Sequence, residues 1–380
     1  MRCHAPGHGK ERDLQSTTRR TVLELVHRGR ASTRRDLSRI IGLSRSAVAQ
    51  TVAELVAEGL LTEHTADREE RRGRPSTKLR LVRHRGWVGA IDLGHRHVAV
   101  SVGDMHHNVI DEQRVPRRVD QGAREALSQA HTMLTDALDR HGVHRGDLRA
   151  VGVTVPFPVI GHTVRPIGNV PGWDGARPSE LLGLPSATAV IVDNSSDLGA
   201  WGEFIEAGAP EVRSLIYVSA GDGVGGGLVI NGQIFSGTHG ISGEIGHVRV
   251  PGCRLRCRCG RTGCLDALVS AASTGNARSM RTAGEAIGMV LAQIASFVDP
   301  DLVVLGGSLG SSNPEFVRSA SDAYGSHELS RRATFTAARL GARSALWGAF
   351  DRATQEAWAV ACLPSPDPHR QWVRTAALHA

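Results

Sequence analysis

The sequence predicts an α/β protein in two parts, a small basic N-terminal part and a larger part in which strands and helices alternate. Residues 1–86 carry 19 Lys and Arg against 10 Asp and Glu, so their net charge is about +9, whereas the remaining residues have a net charge of about −2. From Trp87 onward, short apolar runs bounded by turn residues alternate with helical stretches, which is typical of α/β architecture. The 380 residues, 41% of them hydrophobic, have room for two or three domains.

The basic part begins with helical spacing. We expect residues 1–14 to form a flexible N-terminus and residues 15–28 to form an amphipathic helix, because Val22, Leu25 and Val26 share one helical face. This first helix alone does not identify a function.

Two further helices are predicted on either side of a glycine turn. Ser32 or Thr33 offers an N-cap for a short helix, and Asp36 has a capping-box-like spacing from Thr33. Gly42 supplies the turn, and Ser44 caps a second helix whose apolar residues recur at helical spacing. Two short helices around such a turn are the pattern of a helix-turn-helix, whose second helix enters the major groove of DNA.

The segments LLTE and KLRLV predict two strands around an arginine-rich loop, which is the arrangement of a wing. We therefore predict a winged helix-turn-helix over residues 15–83, with double-stranded DNA as its partner. The alternative is a solvated helical subdomain with an ordinary basic loop. Arg and Gln suit contacts with guanine and adenine edges, and the loop arginines suit phosphates or the minor groove. The candidate DNA contacts are Ser44, Arg45, Ser46, Gln50, Arg71, Arg72 and Arg74.

The larger part contains apolar segments with the length and composition of strands. Between them lie helical stretches, notably 123–140 and 282–298. The predicted strands are 87–94, 97–104, 150–156, 189–194, 215–221, 226–232 and 302–307.

A histidine and three cysteines within eighteen residues predict a metal site. His247, Cys257, Cys259 and Cys264 supply the four ligands of a closed tetrahedral zinc site. Cys253 is a competing ligand, and the alternative is a reactive or disulfide-forming cluster. Because four of the six cysteines are crowded into twelve residues of a chain without a secretory segment, we predict structural Zn²⁺.

The run GEIGHVRV, followed by CRCGRTGCLD, resembles the sugar-site and zinc motif of the ROK family of repressors and sugar kinases. The resemblance implies a two-lobed fold of the actin, hexokinase and Hsp70 ATPase type over residues 87–365, which would serve as the effector and dimerisation domain. It also implies that a sugar contacts Asn169, Asn194, Glu244, His247 and Asp266, although the family usually has a glutamate at the last position.

The motifs that resemble the kinase parts of the family are altered. Family kinases carry Asp-x-Gly-Gly-Thr in the first phosphate loop, where this chain reads DLGHRH over 92–97. The second phosphate loop, residues 221–227, has Asp222, a carboxylate that repels phosphate. The position of the catalytic aspartate is Ser195, and a serine hydroxyl is a poor general base. We therefore predict no catalytic residue and no kinase activity.

The combination of motifs predicts a transcriptional regulator, a repressor of carbohydrate-related genes whose effector is a sugar or sugar phosphate. The alternatives are an ATP-dependent sugar kinase that retains a DNA-binding domain and a DNA-binding dimer that needs no ligand. We expect a homodimer or tetramer on a palindromic operator. No apolar run is long enough to span a membrane, so we expect a bacterial cytoplasmic protein associated with the nucleoid through DNA binding.

Overall fold

The structure is a computed structural model that describes residues 17–23, 25–26, 29–57, 60–65, 77–82, 86–168, 170–208, 212–328 and 332–362. The chain divides into two compact units, residues 86–354 and residues 1–85 with 355–380. One predicted segment and four predicted contact residues lie outside the described residues. They are the flexible N-terminus 1–14 and Arg71, Arg72, Arg74 and Asn169.

The first unit has the predicted winged helix-turn-helix order. Residues 17–23 and 25–26 are helical, and the two helices of the motif are α1 (Arg34–Ile41) and α2 (Arg45–Ala57). The strands β1 (Leu61–Thr65) and β2 (Thr77–Leu81) pair antiparallel and form the wing.

Local hydrogen bonds explain where these two helices begin. The Thr33 hydroxyl accepts from the Asp36 amide at 3.1 Å and donates to the Asp36 carboxylate at 2.8 Å, so Thr33 is the N-cap of α1. Gly42 follows in the left-handed region with a φ of 78° and ends α1. The Ser44 hydroxyl accepts from the Ala47 amide at 3.2 Å and caps α2. The apolar faces of the helices and strands form one buried cluster that includes Val22, Leu37, Val48, Val52, Leu55, Leu61 and Leu79.

The second unit consists of alternating strands and helices in two lobes. Those of the first lobe are β3 (Trp87–Gly94), β4 (His97–Asp104), β5 (Val109–Pro116), α3 (Ala123–Arg140), β6 (Leu148–Val155), β7 (Val159–Ile160), β8 (Thr163–Val164), α4 (Pro178–Leu181), β9 (Ala189–Asn194) and α5 (Ser195–Ala207). Those of the second lobe are β10 (Leu215–Ala220), β11 (Val224–Ile230), β12 (Gln233–Ile234), α6 (Leu265–Ala272), α7 (Ala277–Val298), β13 (Leu302–Gly306), α8 (Gly307–Ser312), α9 (Pro314–Gly325) and β14 (Thr334–Ala337). The last helix, α10 (Ser344–Cys362), returns to the first sheet, where a Cβ atom on Gly152 would lie 2.1 Å from the Ala349 carbonyl oxygen.

Both lobes have the same sheet topology. The first sheet has the order β5-β4-β3-β6-β9 and the second has β12-β11-β10-β13-β14. In each sheet a three-stranded antiparallel meander is extended by two parallel strands. This repeated topology confirms the predicted two-lobed α/β class.

Separate cores stabilise the lobes. Buried aliphatic side chains of α3 pack on the first sheet together with the fully buried Trp173, whereas α6, α7 and α9 pack on the second sheet around Phe316. The helix α5 lies against β10 and β11, and glycines on β11 make this approach possible. A Cβ atom on Gly227 would lie 2.1 Å from the carbonyl oxygen of Ser196.

Several details of the sequence prediction differ from the structure. The helix α7 begins at Ala277 instead of residue 282, the two-residue strands β7, β8 and β12 were not predicted, and neither were the longer strands β5 and β14. Both strands lie at sheet edges and are partly exposed, so they lack a continuous apolar pattern. None of the described helices is long and apolar enough to cross a membrane.

Candidate ligand cleft and metal site

A cleft of about 760 Å³ lies within the second unit. Its walls are the β3–β4 turn, the β10–β11 turn, the start of α5 and the 3-10 helix Ile245–His247. Four of the predicted sugar contacts line this cleft, namely Asn194, Glu244, His247 and Asp266.

The first phosphate loop is a hairpin whose own histidine binds its aspartate. The two-residue turn after β3 pairs Gly94 with His97, and Asp92 lies two residues before Gly94 on the same face. The Nε2 atom of His97 is 2.7 Å from Oδ2 of Asp92. A Cβ atom on Gly94 would lie 2.0 Å from the His97 ring, so the glycine leaves the space that the imidazole fills. The histidine therefore fills the space through which a phosphate would have to approach the backbone of this loop.

Asp92 is nearly inaccessible, with 3% exposure, and is held as a carboxylate. Burial raises its pKa, but the charge and hydrogen bond of His97 and the hydrogen bond of Thr154 together hold the pKa below its ordinary value. The Thr154 hydroxyl donates to Oδ1 at 2.7 Å, and an Arg114 nitrogen lies 3.6 Å from Oδ2. The Asp92 carboxylate is therefore satisfied by the protein itself.

The two phosphate loops are joined by an ion pair. Nε of Arg96, in the β3–β4 turn, is 2.9 Å from Oδ1 of Asp222, in the β10–β11 turn. Arg258 donates to the Asp222 carbonyl oxygen at 2.6 Å, and the His95 ring lies close to Gly223. The sequence prediction had Asp222 facing phosphate anions, whereas in the structure the carboxylate neutralises an arginine of the opposite lobe.

The predicted base position lies at the start of α5. The Ser195 hydroxyl is 3.2 Å from the Thr154 hydroxyl. Asn194 caps the helix, since its side-chain oxygen accepts from the Ser196 amide at 2.7 Å while its nitrogen donates to the Phe157 carbonyl oxygen at 3.0 Å.

The other carboxylate near this position, Asp197, lies behind the cleft surface. It is 4% exposed, it is not part of the cleft wall, and it accepts from the Ser236 hydroxyl at 3.2 Å. Burial, together with the charge of Asp193, raises its pKa well above the ordinary value. Asp197 is therefore not exposed to a ligand in the cleft.

Glu244 and Asp266 differ in how much of their hydrogen-bonding capacity remains for a ligand. Asp266 is 6% exposed, accepts from the Val224 amide at 3.0 Å and lies 3.3 Å from Nε of Arg258. Burial and the charge of Asp266 raise the pKa of Glu244 to about 7. A carboxyl group near its pKa can donate as well as accept, which suits a sugar hydroxyl.

His247 connects the cleft to a cluster of cysteines. Its Nδ1 atom is 3.6 Å from Sγ of Cys257, and its Nε2 atom faces Glu244 at 3.7 Å. Sγ of Cys259 is 3.7 Å from Sγ of Cys264, and all four ligand atoms lie within 4.8 Å of one another. Zinc–sulfur bonds of about 2.3 Å in a tetrahedron give sulfur–sulfur distances of about 3.8 Å, so this donor set fits a metal ion of that size.

Two predicted features of the metal site can be placed. Cys253, the competing ligand, is not part of the four-residue group found among the described residues. The Nδ1 atom of His247 faces the thiols while Nε2 faces the cleft, so a bound metal would fix both the tautomer and the orientation of the ring.

The candidate DNA contacts on α2 form an exposed surface at its N-terminal end. Ser44, Arg45, Ser46 and Gln50 are all exposed. The Gln50 amide donates to Glu54 at 3.2 Å, and the structure shows no ion pair of Arg45 with any described residue. An exposed helix N-terminus with these side chains has the chemistry needed to contact base edges and phosphates.

The fold and the cleft define a two-lobed protein of sugar-kinase type preceded by a winged helix-turn-helix. The ROK family model matches residues 88–277 and 271–356, and a winged helix-turn-helix DNA-binding model matches residues 15–62. The chain therefore belongs to the ROK family.

Among similar proteins, a glucokinase of Halalkalibacterium halodurans is 30% identical over 199 residues, which cover 50% of this chain and 58% of that protein. The xylose repressor of Caldicellulosiruptor bescii is 25% identical over 261 residues, or 68% of this chain and 64% of the repressor. The chain thus spans about three-fifths of the length of these relatives. A ROK family transcriptional regulator, a homologue of the E. coli MLC protein, has the same fold, with a TM-score of 0.71, 17% identity and coverage of 92% of this chain and 98% of the regulator.

Sequence reasoning missed the partners of the altered loops. The contact between His97 and Asp92 had a signal, because a two-residue hairpin turn places residues 94 and 97 opposite each other. The pairing of Arg96 with Asp222 had no local signal, since it depends on how the two lobes meet.

Proposed function

We propose that this protein is a DNA-binding transcriptional regulator, a repressor of carbohydrate-related genes, whose ROK domain binds a sugar or sugar phosphate without phosphorylating it. The observation that carries the proposal is the combination, in one chain, of a winged helix-turn-helix with a kinase-type cleft that is altered at its catalytic position. By its resemblance to the family motif, Ser195 occupies the position of the base, and His97 lies 2.7 Å from Asp92. The xylose repressor of C. bescii supports the class of target genes.

DNA recognition is assigned to α2 and the wing. Arg45 and Gln50 would contact base edges, with Ser44 and Ser46 at adjacent phosphates. The wing arginines, Arg71, Arg72 and Arg74, would bind the backbone or the minor groove. A homodimer or a dimer of dimers would match a palindromic operator, and the protein would act in the bacterial cytoplasm at the nucleoid.

Ligand recognition is assigned to the cleft. Glu244 and the Nε2 atom of His247 would form direct hydrogen bonds with sugar hydroxyls, and Asn194, Asp266 and Asn169 would be the further contacts. Zn²⁺ held by His247 and the three cysteines would be structural, because four protein ligands close the coordination sphere. Its role at this site is to fix the loop and the imidazole that faces the sugar.

Phosphoryl transfer is disfavoured by the chemistry of the cleft. A hydroxyl at Ser195 cannot accept the proton of a sugar hydroxyl near neutral pH as a carboxylate does. The phosphate loops carry an internal ion pair, Arg96 with Asp222, where a kinase needs open backbone donors.

The test combines DNA binding with an assay of catalysis. We expect the full-length protein to bind DNA from upstream of its own gene selectively in fluorescence anisotropy, and we expect no ADP formation with ATP, Mg²⁺ and a hexose panel. ATP-dependent phosphorylation of one hexose at ordinary enzyme rates, together with no selective DNA binding, would refute the proposal.

Thermal stability separates a sugar-responsive regulator from a ligand-independent dimer. A true ligand at about 100 times its Kd should add about 2.7 kcal/mol of stability. If no member of a sugar and sugar-phosphate panel raises the melting temperature while DNA binding is selective, the effector part of the proposal is wrong and the ROK domain serves dimerisation only.

A further inference from the structure

The segment of residues 248–264, which contains the three cysteine ligands, is strongly basic. We call it the arginine loop. It contains five arginines, no Asp and no Glu. All five arginines are exposed: Arg249, Arg254, Arg256, Arg258 and Arg261. The proposed sugar and metal sites use the histidine and cysteines of this region but give no role to four of these arginines.

Most of this positive charge is not neutralised within the described residues. Arg258 pairs with Asp266 at 3.3 Å. The other four arginines have no side-chain ion pair or hydrogen bond with a described residue, although many other arginines of this unit are paired. The loop therefore presents about four unpaired positive charges on a short surface segment.

The backbone of the arginine loop is held in place by its own hydrogen bonds. The Gly263 amide donates to the Leu255 carbonyl oxygen at 2.9 Å, and the Cys257 amide donates to the Arg261 carbonyl oxygen at 2.8 Å. Isolated bridges also pair Arg249 with Cys264 and Arg256 with Thr262. Because the backbone is already ordered, binding a partner costs less conformational entropy than ordering a mobile basic tail.

The composition of the surface favours a polyanion over a folded protein partner. The large apolar side chains exposed in the loop are Leu255 and Val248, at 42% and 38%. Stable protein interfaces have a broad apolar centre, whereas binding to nucleic acid is driven mainly by release of counterions from phosphates. Arg254 and Arg256 are both exposed and flank Leu255 in the chain, so two unpaired positive charges lie close together in this loop.

We propose that the arginine loop is a second DNA contact, in which Arg254 and Arg256, with Arg249 and Arg261, bind backbone phosphates without reading the sequence. This inference rests on the proposed function, because a chain that holds DNA through its winged helix-turn-helix keeps phosphates at high local concentration for a second site. The loop would add affinity and salt dependence, while α2 would supply the sequence preference.

The test uses the full-length protein and a duplex of unrelated sequence, so that it does not depend on an operator. Anisotropy titrations over a salt series would compare wild type with R254S/R256S. The matched control is R124S/R278S, which removes two exposed arginines that likewise have no partner among the described residues. Loss of two phosphate contacts should make the negative slope of log K against log salt shallower by about 2. The ratio of wild-type to variant affinity should then change roughly tenfold between 50 and 200 mM salt.

Further variants separate charge from folding. R254K/R256K keeps the charge and should retain most of the slope, and bound metal and thermal midpoint should match wild type in all variants. Equal slopes for R254S/R256S and R124S/R278S would overturn the inference. Unchanged DNA binding of R254S/R256S together with lost binding of poly-L-glutamate would also overturn it and would assign the loop to an acidic protein segment.

The two proposals fail separately. If wild type binds upstream and unrelated DNA equally, the proposed function as a regulator is wrong. The comparison of salt slopes still shows whether the arginine loop contacts DNA. If wild type is selective and the slope is unchanged in R254S/R256S, the regulator stands and the second contact is wrong.

Discussion

Replacing His97 with alanine removes the main partner of a carboxylate that has 3% exposure. Leaving a buried acceptor without its partner costs about 1–3 kcal/mol, and more when the acceptor is charged, because the remaining charge stays buried. Here Asp92 keeps the Thr154 hydrogen bond at 2.7 Å and Arg114 at 3.6 Å, which offset part of this loss. We therefore expect His97→Ala to destabilise the second unit by about 2–3 kcal/mol at pH 7.

The same contact predicts a dependence on pH. The native pKa of Asp92 is lower than that of an unfolded aspartate, about 3.9, so its contribution to stability is present above that value. The contribution is lost as the pH falls through the native pKa. The difference in the free energy of unfolding between wild type and His97→Ala should therefore be largest near neutral pH and should narrow below about pH 4.

Urea unfolding followed by tryptophan fluorescence measures this difference, since four of the six tryptophans, Trp87, Trp173, Trp201 and Trp347, lie in the second unit. His141→Ala is the matched control, because His141 lies 3.0 Å from Asp111, which also binds Arg140 at 3.0 Å. We expect the control to lose under about 1 kcal/mol. A loss of less than about 0.5 kcal/mol for His97→Ala, or a loss that does not change with pH, would show that His97 does not stabilise the Asp92 carboxylate.

Three further predictions concern packing, metal and DNA. Gly227→Ala places a methyl group 2.1 Å from the Ser196 carbonyl oxygen and should cost at least about 2 kcal/mol in chemical unfolding; a smaller loss than about 0.5 kcal/mol would contradict the close packing of α5 on β11. Elemental analysis should find one Zn²⁺ per chain and much less in Cys264→Ser, and equal metal content would exclude this ligand set. Arg45→Ala should weaken binding to selected DNA by about 1–3 kcal/mol while leaving binding to unrelated DNA and the thermal midpoint nearly unchanged; a uniform loss on both DNAs would show that Arg45 contacts only phosphate. Gln50→Ala should behave in the same way.

Local physical chemistry explains why much of the fold was predictable. Caps and apolar spacing mark the ends of the two helices of the first unit, so Thr33, Gly42 and Ser44 have the roles expected from the sequence. The buried central strands of each sheet are continuous apolar runs, so β3, β6 and β13 were also found.

The remainder depends on contacts between elements that are distant in the chain. Nothing in the sequence around Glu203 indicates its partners, since in the structure it accepts from the Arg339 and Leu340 amides at 2.9 and 3.0 Å and from the Ser344 hydroxyl at 2.7 Å. Asp266 lines the cleft, as the sequence prediction requires, but the sequence did not indicate that it also accepts from the Val224 amide. Side-chain type alone does not reveal which partner a buried carboxylate will find.

In the proposed regulator, a sugar bound in the ROK domain changes how tightly the chain holds DNA, instead of being phosphorylated. The most direct measurement is the Kd of full-length protein for DNA from upstream of its own gene, by anisotropy, with and without the sugar that raises its melting temperature most. We expect one sugar or sugar phosphate to weaken this binding at least about tenfold, which requires a difference of about 1.4 kcal/mol in its affinity for the free and DNA-bound conformations. An unchanged Kd with the sugar verified to be bound would show that the sugar does not regulate DNA binding.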